Sequence, residues 1–143
     1  MNDVDLMRKY AEILNENYRA DMMDTFTQAY MEAILFAETD QSDEQGGEPL
    51  SANYDITDFS AESLRKIKKD CDLFQQESQL RLYPGSEVAV KAGHDFWLTR
   101  VGHGAGFWDG DWPEPEATRY TELSKKFGHV DVYVGDDGML ELM

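Results

Sequence analysis

The chain has 143 residues and a formal net charge of −16, from 29 acidic and 13 basic side chains. Its length fits a single domain with a real core, and an apolar fraction of 41% argues against global disorder. So negative a molecule repels nucleic acid and anionic membranes and attracts basic surfaces. Direct binding to DNA, RNA or lipid headgroups is therefore disfavoured from the start.

The cysteine content and the N-terminal segment both indicate the cytoplasm. Cys71 is the one cysteine, so no disulfide forms within the chain and an oxidising compartment is not needed. Residues 1–19 carry charges throughout in place of the continuous apolar run of a signal peptide. No stretch approaches the length of a membrane span. Cys71 itself is expected to be a small buried apolar residue.

Apolar stripes at helical spacing predict a helical half over about 5–80. The first stripe is Leu6, Tyr10, Ile13, Leu14 and Tyr18, and the second is Phe26, Ala29, Tyr30, Ala33, Ile34 and Ala37. Between this pair and the next helix, Thr39–Asn53 has no periodicity, so we expect a mobile acidic loop there. Ser60 is a predicted N-cap for a third helix that runs to about Ser78.

The remainder, about 86–143, is predicted to be the sheet half. Val88 and Val90 alternate with polar neighbours, and Asp95–Val101 has the composition of a strand. Gly102–Gly106 then predicts a turn and a return strand from Phe107, so that 93–111 forms a β-hairpin.

A short helix and a second hairpin are predicted near the C-terminus. The helix follows Pro115 and turns Tyr120 inward, together with Leu123 and Phe127. His129–Val134 alternates strictly, Asp137-Gly138 is a hairpin turn, and Met139–Leu142 returns. The expected fold is a single α+β domain, 1–143, with N-terminal helices packed on a small antiparallel sheet that carries one further helix.

Acidic residues are concentrated in one part of the chain. No lysine or arginine occurs between Arg19 and Arg65, an interval with eleven acids. Acids four residues apart on a helix lie about 6 Å apart along its axis, and B-DNA presents a phosphate about every 3.4 Å per strand. A row of acids can thus imitate a phosphate backbone, although most such runs are simply solvated surface. The predicted partner-binding acidic face comprises Glu32, Glu38, Asp40, Asp43, Glu44, Glu48, Asp55 and Asp58.

The segment Gly93–Asp111 is dense in glycine, histidine and aromatic residues. Packing of aromatic side chains across the hairpin is the first interpretation, and it applies to Phe96, Trp97, Phe107 and Trp108. The alternatives are a metal site and a small-anion or nucleotide site, but the segment has neither a zinc-ligand spacing nor a phosphate-loop motif. No cofactor and no catalytic residue is therefore implied. The candidate ligand-binding residues are His94, Asp95, Arg100, His103, Trp108 and Asp109, with Asp111 and His129 as further metal ligands.

Three strings carry a resemblance to a known group of proteins: GHDFWLTRVGHGAGFWD, VDVYVGDDG and TDQSDEQGGEPLSANYDI. They resemble a family of small acidic proteins encoded by bacteriophages and mobile elements, over Tyr30–Gly138. That family has no established activity, so no catalytic residue is carried over. The resemblance implies a viral accessory protein that acts in a bacterial cytoplasm.

These observations lead to three functional hypotheses. The first is a non-enzymatic inhibitor or adaptor whose acidic face occupies a basic host protein, such as a nucleic-acid-binding or defence protein. The second is an enzyme or ligand-binding domain built on the 93–111 hairpin. The third is a structural, virion-associated component.

Overall fold

The computed structural model describes residues 2–4, 6–7, 19–41, 47–80 and 86–143. Within 19–41, 47–80 and 86–143 it contains four α-helices and one two-stranded antiparallel sheet, which confirms the predicted α+β class. The helices are α1 (Thr25–Ala37), α2 (Ala61–Ser78), α3 (Ser86–Val101) and α4 (Glu116–Lys126), and the strands are β1 (Val132–Val134) and β2 (Leu140–Leu142). Short 3-10 turns lie at Ala20–Met22, Leu50–Ala52 and Ile56–Asp58.

Helices α1 and α2 form where their apolar stripes predict them. Asp24 caps α1 by accepting a hydrogen bond from the backbone N–H of Thr27 at 2.8 Å. Ser60 caps α2 in the same way for Ser63, so the N-cap prediction is confirmed. Of the first predicted stripe only Leu6 is described, in a helical segment, and its other members lie outside the described residues.

Helix α3 is the main correction to the sequence prediction. It covers Ser86–Val101, so the predicted strand over 95–101 is helical and the 93–111 β-hairpin is wrong. The chain beyond it, 102–115, is an irregular loop without a return strand. Residues at helical spacing do form a stripe along α3 when alanine and glycine are counted together with the large side chains. Its members are Ala89, Ala92, Gly93, Phe96, Trp97 and Arg100.

Gly93 allows α3 to lie directly against α1. A Cβ at this position would overlap the carbonyl oxygen of Phe26 and lie 2.9 Å from the Cβ of Ala29. Real side chains do not tolerate such contacts, so the two helices approach this closely only because Gly93 has no side chain. Gly93 therefore serves the packing of two helices and not a turn of a hairpin.

An aromatic cluster fills the space between the helices. Phe74 of α2 and Phe96 of α3 are fully buried, and their ring centroids lie 4.2 Å apart. Phe107, from the loop after α3, stacks on Phe74 and meets the edge of Tyr120 from α4. The packing interpretation is therefore correct for Phe96, Trp97 and Phe107, which are fully buried, and wrong for Trp108, which is 52% exposed. Cys71 is also fully buried, as expected, and burial raises the pKa of its thiol.

The C-terminal hairpin forms at the predicted turn but with shorter strands. Val132 pairs with Leu142 and Val134 with Leu140, and Gly138 adopts a positive φ of 80° in the turn. The hydroxyl of Ser63 donates to the carbonyl of Leu140 and accepts from the N–H of Leu142. These bonds attach the hairpin to the first turn of α2, so the sheet lies beside the helices and covers only one end of them.

Candidate functional site

A groove of about 850 Å³ lies between α1, α3 and the start of the loop that follows α3. We call it the α1–α3 groove. Its apolar lining consists of Ala33, Leu35, Phe36, Ala37, Leu98 and Ala105, and its polar lining of Glu32, Ser51, His94 and His103. An apolar concavity with a few polar groups at its margin is the usual form of a binding site.

Phe36 forms an exposed wall of this groove. The side chain is 79% exposed, although it stands in the last turn of a helix whose other large apolar residues are buried. A single exposed apolar residue is common on protein surfaces, but here it continues into an apolar floor that includes Ala37 and Leu98. The groove thus leaves a contiguous apolar surface in contact with water.

A hydrogen-bonded pair fixes one end of the groove. Nε2 of His103 lies 2.5 Å from Oε1 of Glu38, the residue that ends α1. The same carboxylate oxygen accepts a hydrogen bond at 3.1 Å from Nε1 of the buried Trp97. Two helices and a loop therefore hold the carboxylate, and the carboxylate in turn orients the imidazole, as in an acid–base pair.

Arg100, a predicted ligand residue, lies on a different side of α3 from His94. Six residues on a helix correspond to about 600°, which leaves the two side chains well over a right angle apart. Arg100 pairs with Asp70 of α2 at 2.7 Å and donates to the Tyr30 hydroxyl at 3.1 Å. It also donates to the carbonyls of Phe127 and Gly128 at the end of α4. Arg100 thus joins α3 to the three other helices α1, α2 and α4 and is not part of the α1–α3 groove lining.

The ionisation of this cluster follows from its burial. Burial raises the pKa of the Tyr30 hydroxyl well above its ordinary value, and the nearby Arg100 opposes that shift without reversing it. Burial alone would lower the pKa of Arg100, but Tyr30 and Asp70 outweigh it and the net direction is upward. Arg100 therefore stays a cation and Tyr30 a neutral acceptor.

Asp95, Trp108 and Asp109 also lie outside the lining of the α1–α3 groove. Asp95 of α3 is buried and accepts a hydrogen bond at 2.5 Å from Nε1 of Trp112, in the loop that follows α3. Burial raises the pKa of Asp95, and the Trp112 hydrogen bond opposes that shift. Trp108 is about half exposed, and Asp109 lies 3.4 Å from the backbone N–H of Gly106. Of the six candidates, the structure brings only His94 and His103 to one groove.

Several members of the predicted acidic face have local structural roles. Glu38 is bound as described above, and Asp55 and Asp58 form a reciprocal capping box on a 3-10 turn. Glu32 and Glu48 are exposed, with the latter 3.3 Å from the side-chain amide of Asn53. Asp43 and Glu44 lie outside the described residues.

The acids of this region do not form the helical row that the sequence suggested. Within α1 there is a single acid, Glu32, and the next helical one is Glu62 in α2. The remaining described acids of the interval stand on short turns and extended segments. The concentration of negative charge is retained at the surface, but the regular spacing of a phosphate backbone along one helix is absent from the described chain.

A second depression, of about 330 Å³, lies on the Arg100 side of the molecule. Lys66 and Lys69 of α2 line it together with Arg100, Asp70 and His129. It differs from the α1–α3 groove because its lining includes lysine and arginine side chains. Lys66 donates to the carbonyl of Leu142 at 3.1 Å, which ties one of these cations to the hairpin.

Phe36 and Leu98 are two of the groove residues that the sequence did not single out. Phe36 falls outside the apolar stripe of α1, and a large apolar residue off the stripe of a helix is a usable signal of surface exposure. Leu98 was assigned to a strand, which concealed its position four residues, or about one turn, after His94.

Comparison of the chain with models of protein families, with curated proteins and with solved structures gives no match. In the described part of the chain, no three His, Cys, Asp or Glu side chains are grouped so that they could hold a metal ion. None of the helices described there combines the length and the apolar character needed to cross a membrane.

Proposed function

We propose that this protein acts by binding a basic partner protein through the acidic surface of residues 20–64. The observation that carries this proposal is the charge of that interval, which has eleven acids and no lysine or arginine. Nine of those acids are described, and six of them are exposed. A surface with one sign of charge accelerates encounter with a partner of the opposite sign and excludes partners of its own sign.

A partner whose basic surface otherwise holds nucleic acid has the required charge. In the bacterial context that the phage resemblance implies, such a partner would be a host or defence protein, and the acidic protein would block its surface by occupying it. This proposal needs the density of charge on the 20–64 surface and not the regular spacing of phosphates. It therefore does not depend on a row of carboxylates along a helix.

Capture from a bacterial lysate tests the proposal. Immobilised protein should retain a basic protein at about 0.05 M ionic strength and release most of it at about 0.5 M, because mobile ions screen exposed charges within a few ångströms at the higher value. Retention that is indifferent to salt, or of partners without a basic surface, would contradict the proposal.

Charge-reversal variants locate the binding surface. Glu32→Lys combined with Glu48→Lys should abolish or strongly weaken retention, because both side chains are exposed in the acid-only interval. The matched control is Glu77→Lys combined with Glu122→Lys, which changes the net charge equally at exposed positions on α2 and α4. Equal losses for the two pairs would show that only total charge matters, and the assignment to this surface would fail.

A second candidate is a small-ligand or catalytic site in the α1–α3 groove. The observation that favours it is the His103–Glu38 pair at the margin of an apolar concavity. Thermal-shift measurements against divalent metals, nucleotides and aliphatic acids test it, with His103→Gln as the comparison. A stabilising ligand whose effect is lost in His103→Gln would support this candidate, and the absence of any shift across the panel would remove it.

A further inference from the structure

We infer that the α1–α3 groove is the anchor site for the basic partner. It would take a segment that places bulky apolar side chains between lysines or arginines, such as one face of an amphipathic helix. This inference rests on the proposed function and specifies which part of the protein makes the short-range contacts.

The form of the groove fits apolar anchors. Its floor and outer wall are apolar over Ala33, Phe36, Ala37 and Leu98, and Phe36 projects beside the floor with most of its surface in water. A partner side chain inserted beside Phe36 would cover apolar surface on both molecules, which is the main favourable term in association. A concavity between two helices is also a common receptor for an amphipathic helix, whose anchors recur at three- and four-residue spacing.

The charge around the groove selects a cationic segment. Its lining contains one carboxylate, Glu32, and no lysine or arginine. An anionic or acidic amphipathic segment would find the same apolar floor, but it would meet a protein with a formal charge of −16. Charge complementarity therefore favours a basic segment over an acidic one of equal apolar content.

Three synthetic peptides of equal length serve as probes. The first is an amphipathic Leu/Lys helix, the second replaces every Leu by Ser, and the third replaces every Lys by Glu. Fluorescence anisotropy with the full chain should rank the Leu/Lys peptide first by about tenfold or more over each of the others, the size of effect that a central apolar anchor has.

Matched variants then test the groove itself. Phe36→Ser should weaken binding of the Leu/Lys peptide about tenfold or more. Met22→Ser removes an apolar side chain that is 74% exposed outside the groove lining and should leave the affinity nearly unchanged. Ala105→Phe, which fills the groove from a loop, should weaken binding without removing any contact of the core. Circular dichroism and the urea midpoint confirm that each variant is folded.

The outcomes separate this inference from the proposed function. Equal affinity of wild type, Phe36→Ser and Ala105→Phe overturns the groove assignment, while salt-sensitive binding that is lost in Glu48→Lys, outside the groove lining, would leave the proposed function intact. Equal binding of the Leu/Lys and Leu/Glu peptides shows an apolar site without charge preference, which overturns both. A dimer in sedimentation that Phe36→Ser dissociates, with no peptide binding, assigns the groove to a second copy of the chain and overturns the inference.

Discussion

The two sides of α3 differ in which side chains are buried: a charged one is buried on one side, and an apolar one is exposed on the other. On one side Arg100 is buried, with 6% of its side chain exposed, and it is bound by a carboxylate, a hydroxyl and two carbonyls. On the other side, the groove side, Phe36 of α1 stands 79% exposed beside Leu98 and His94. Arg100, which the sequence analysis named as a candidate ligand-binding residue, holds the helices together. Phe36, which it did not name, is exposed at the surface.

This contrast separates residues that hold the fold from residues available to a partner. An arginine buried among four hydrogen-bond acceptors has little left to offer a ligand, and its removal damages the fold. An exposed apolar wall contributes little to folding and retains its full surface for binding. Substitutions on the Arg100 side should therefore change the stability of the fold, and substitutions on the groove side should change the affinity for a partner. Four predictions follow in order of their expected effect on stability.

Arg100→Met should have the largest effect. It leaves Asp70 without its cation and strands the Tyr30 hydroxyl, so we expect a loss of about 3–5 kcal/mol in the free energy of unfolding, measured by urea denaturation. Lys68→Met is the control, because Lys68 pairs with Asp72 at 2.7 Å near the surface and should cost at most about 1 kcal/mol. Similar losses for the two variants would contradict the framework role of Arg100.

Gly93→Ala should destabilise the protein by about 1–3 kcal/mol, because the new methyl group forces α1 and α3 apart. The sign of this change in the free energy of unfolding is informative, because a Gly to Ala substitution at an ordinary position inside a helix stabilises the helix by about 1 kcal/mol. Thermal unfolding measures the change, with Val88→Ala at a more exposed position of α3 as the control. A stabilised Gly93→Ala would show that the helices do not meet as described.

Asp95→Asn and Asp55→Asn should respond to pH in opposite directions. Burial raises the folded-state pKa of Asp95 above the ordinary 3.8, so wild type should gain stability relative to Asp95→Asn as the pH falls through that raised pKa towards 3.8. Hydrogen bonds from Thr57 lower the pKa of Asp55, so wild type should lose stability relative to Asp55→Asn as the pH falls from 3.8 through the lowered pKa. Urea midpoints over this range measure both trends, and trends of the same sign would refute the assignment of their environments.

Phe36→Ser should have the smallest effect on stability, within about 0.5 kcal/mol, because the side chain is already exposed. The same substitution should produce the large loss of peptide binding described above. Chemical denaturation of the variant gives the first quantity independently of the second. A destabilisation comparable to that of Gly93→Ala would place Phe36 in the core and remove the contrast between the two sides of α3.

The sequence predicted those elements whose apolar pattern is strong. The stripe of α1, the Ser60 cap of α2 and the turn at Asp137-Gly138 each depend on local chemistry that short-range patterns report. Helix α3 was missed because Gly93 and Arg100 occupy its buried stripe, where a search for large apolar residues does not register them. Gly93 can be buried because it packs on α1, and Arg100 can be buried because it pairs with Asp70. Both partners are distant in the sequence.

The candidate site, like the fold, was predictable from the sequence only in part. The acid-only interval is visible in the sequence, and His94 and His103 were singled out from their surroundings. The groove itself was not, because it forms only when α3 packs on α1 and brings Leu98 beside Phe36. The position of Arg100, Asp95 and Asp109 outside the groove was also missed, because the strand assignment placed on one hairpin residues that a helix and a loop carry.

The three histidines of the chain provide the most direct test of the account. His94 and His103 line the α1–α3 groove, and His129 lines the depression beside Arg100. Titration of the wild-type protein with the Leu/Lys peptide, followed through the imidazole resonances by NMR, reports on both surfaces in one sample. The resonances of His94 and His103 should shift on peptide binding, while that of His129 stays in place. A shift of His129 with the other two unchanged would contradict the assignment of the α1–α3 groove as the binding site.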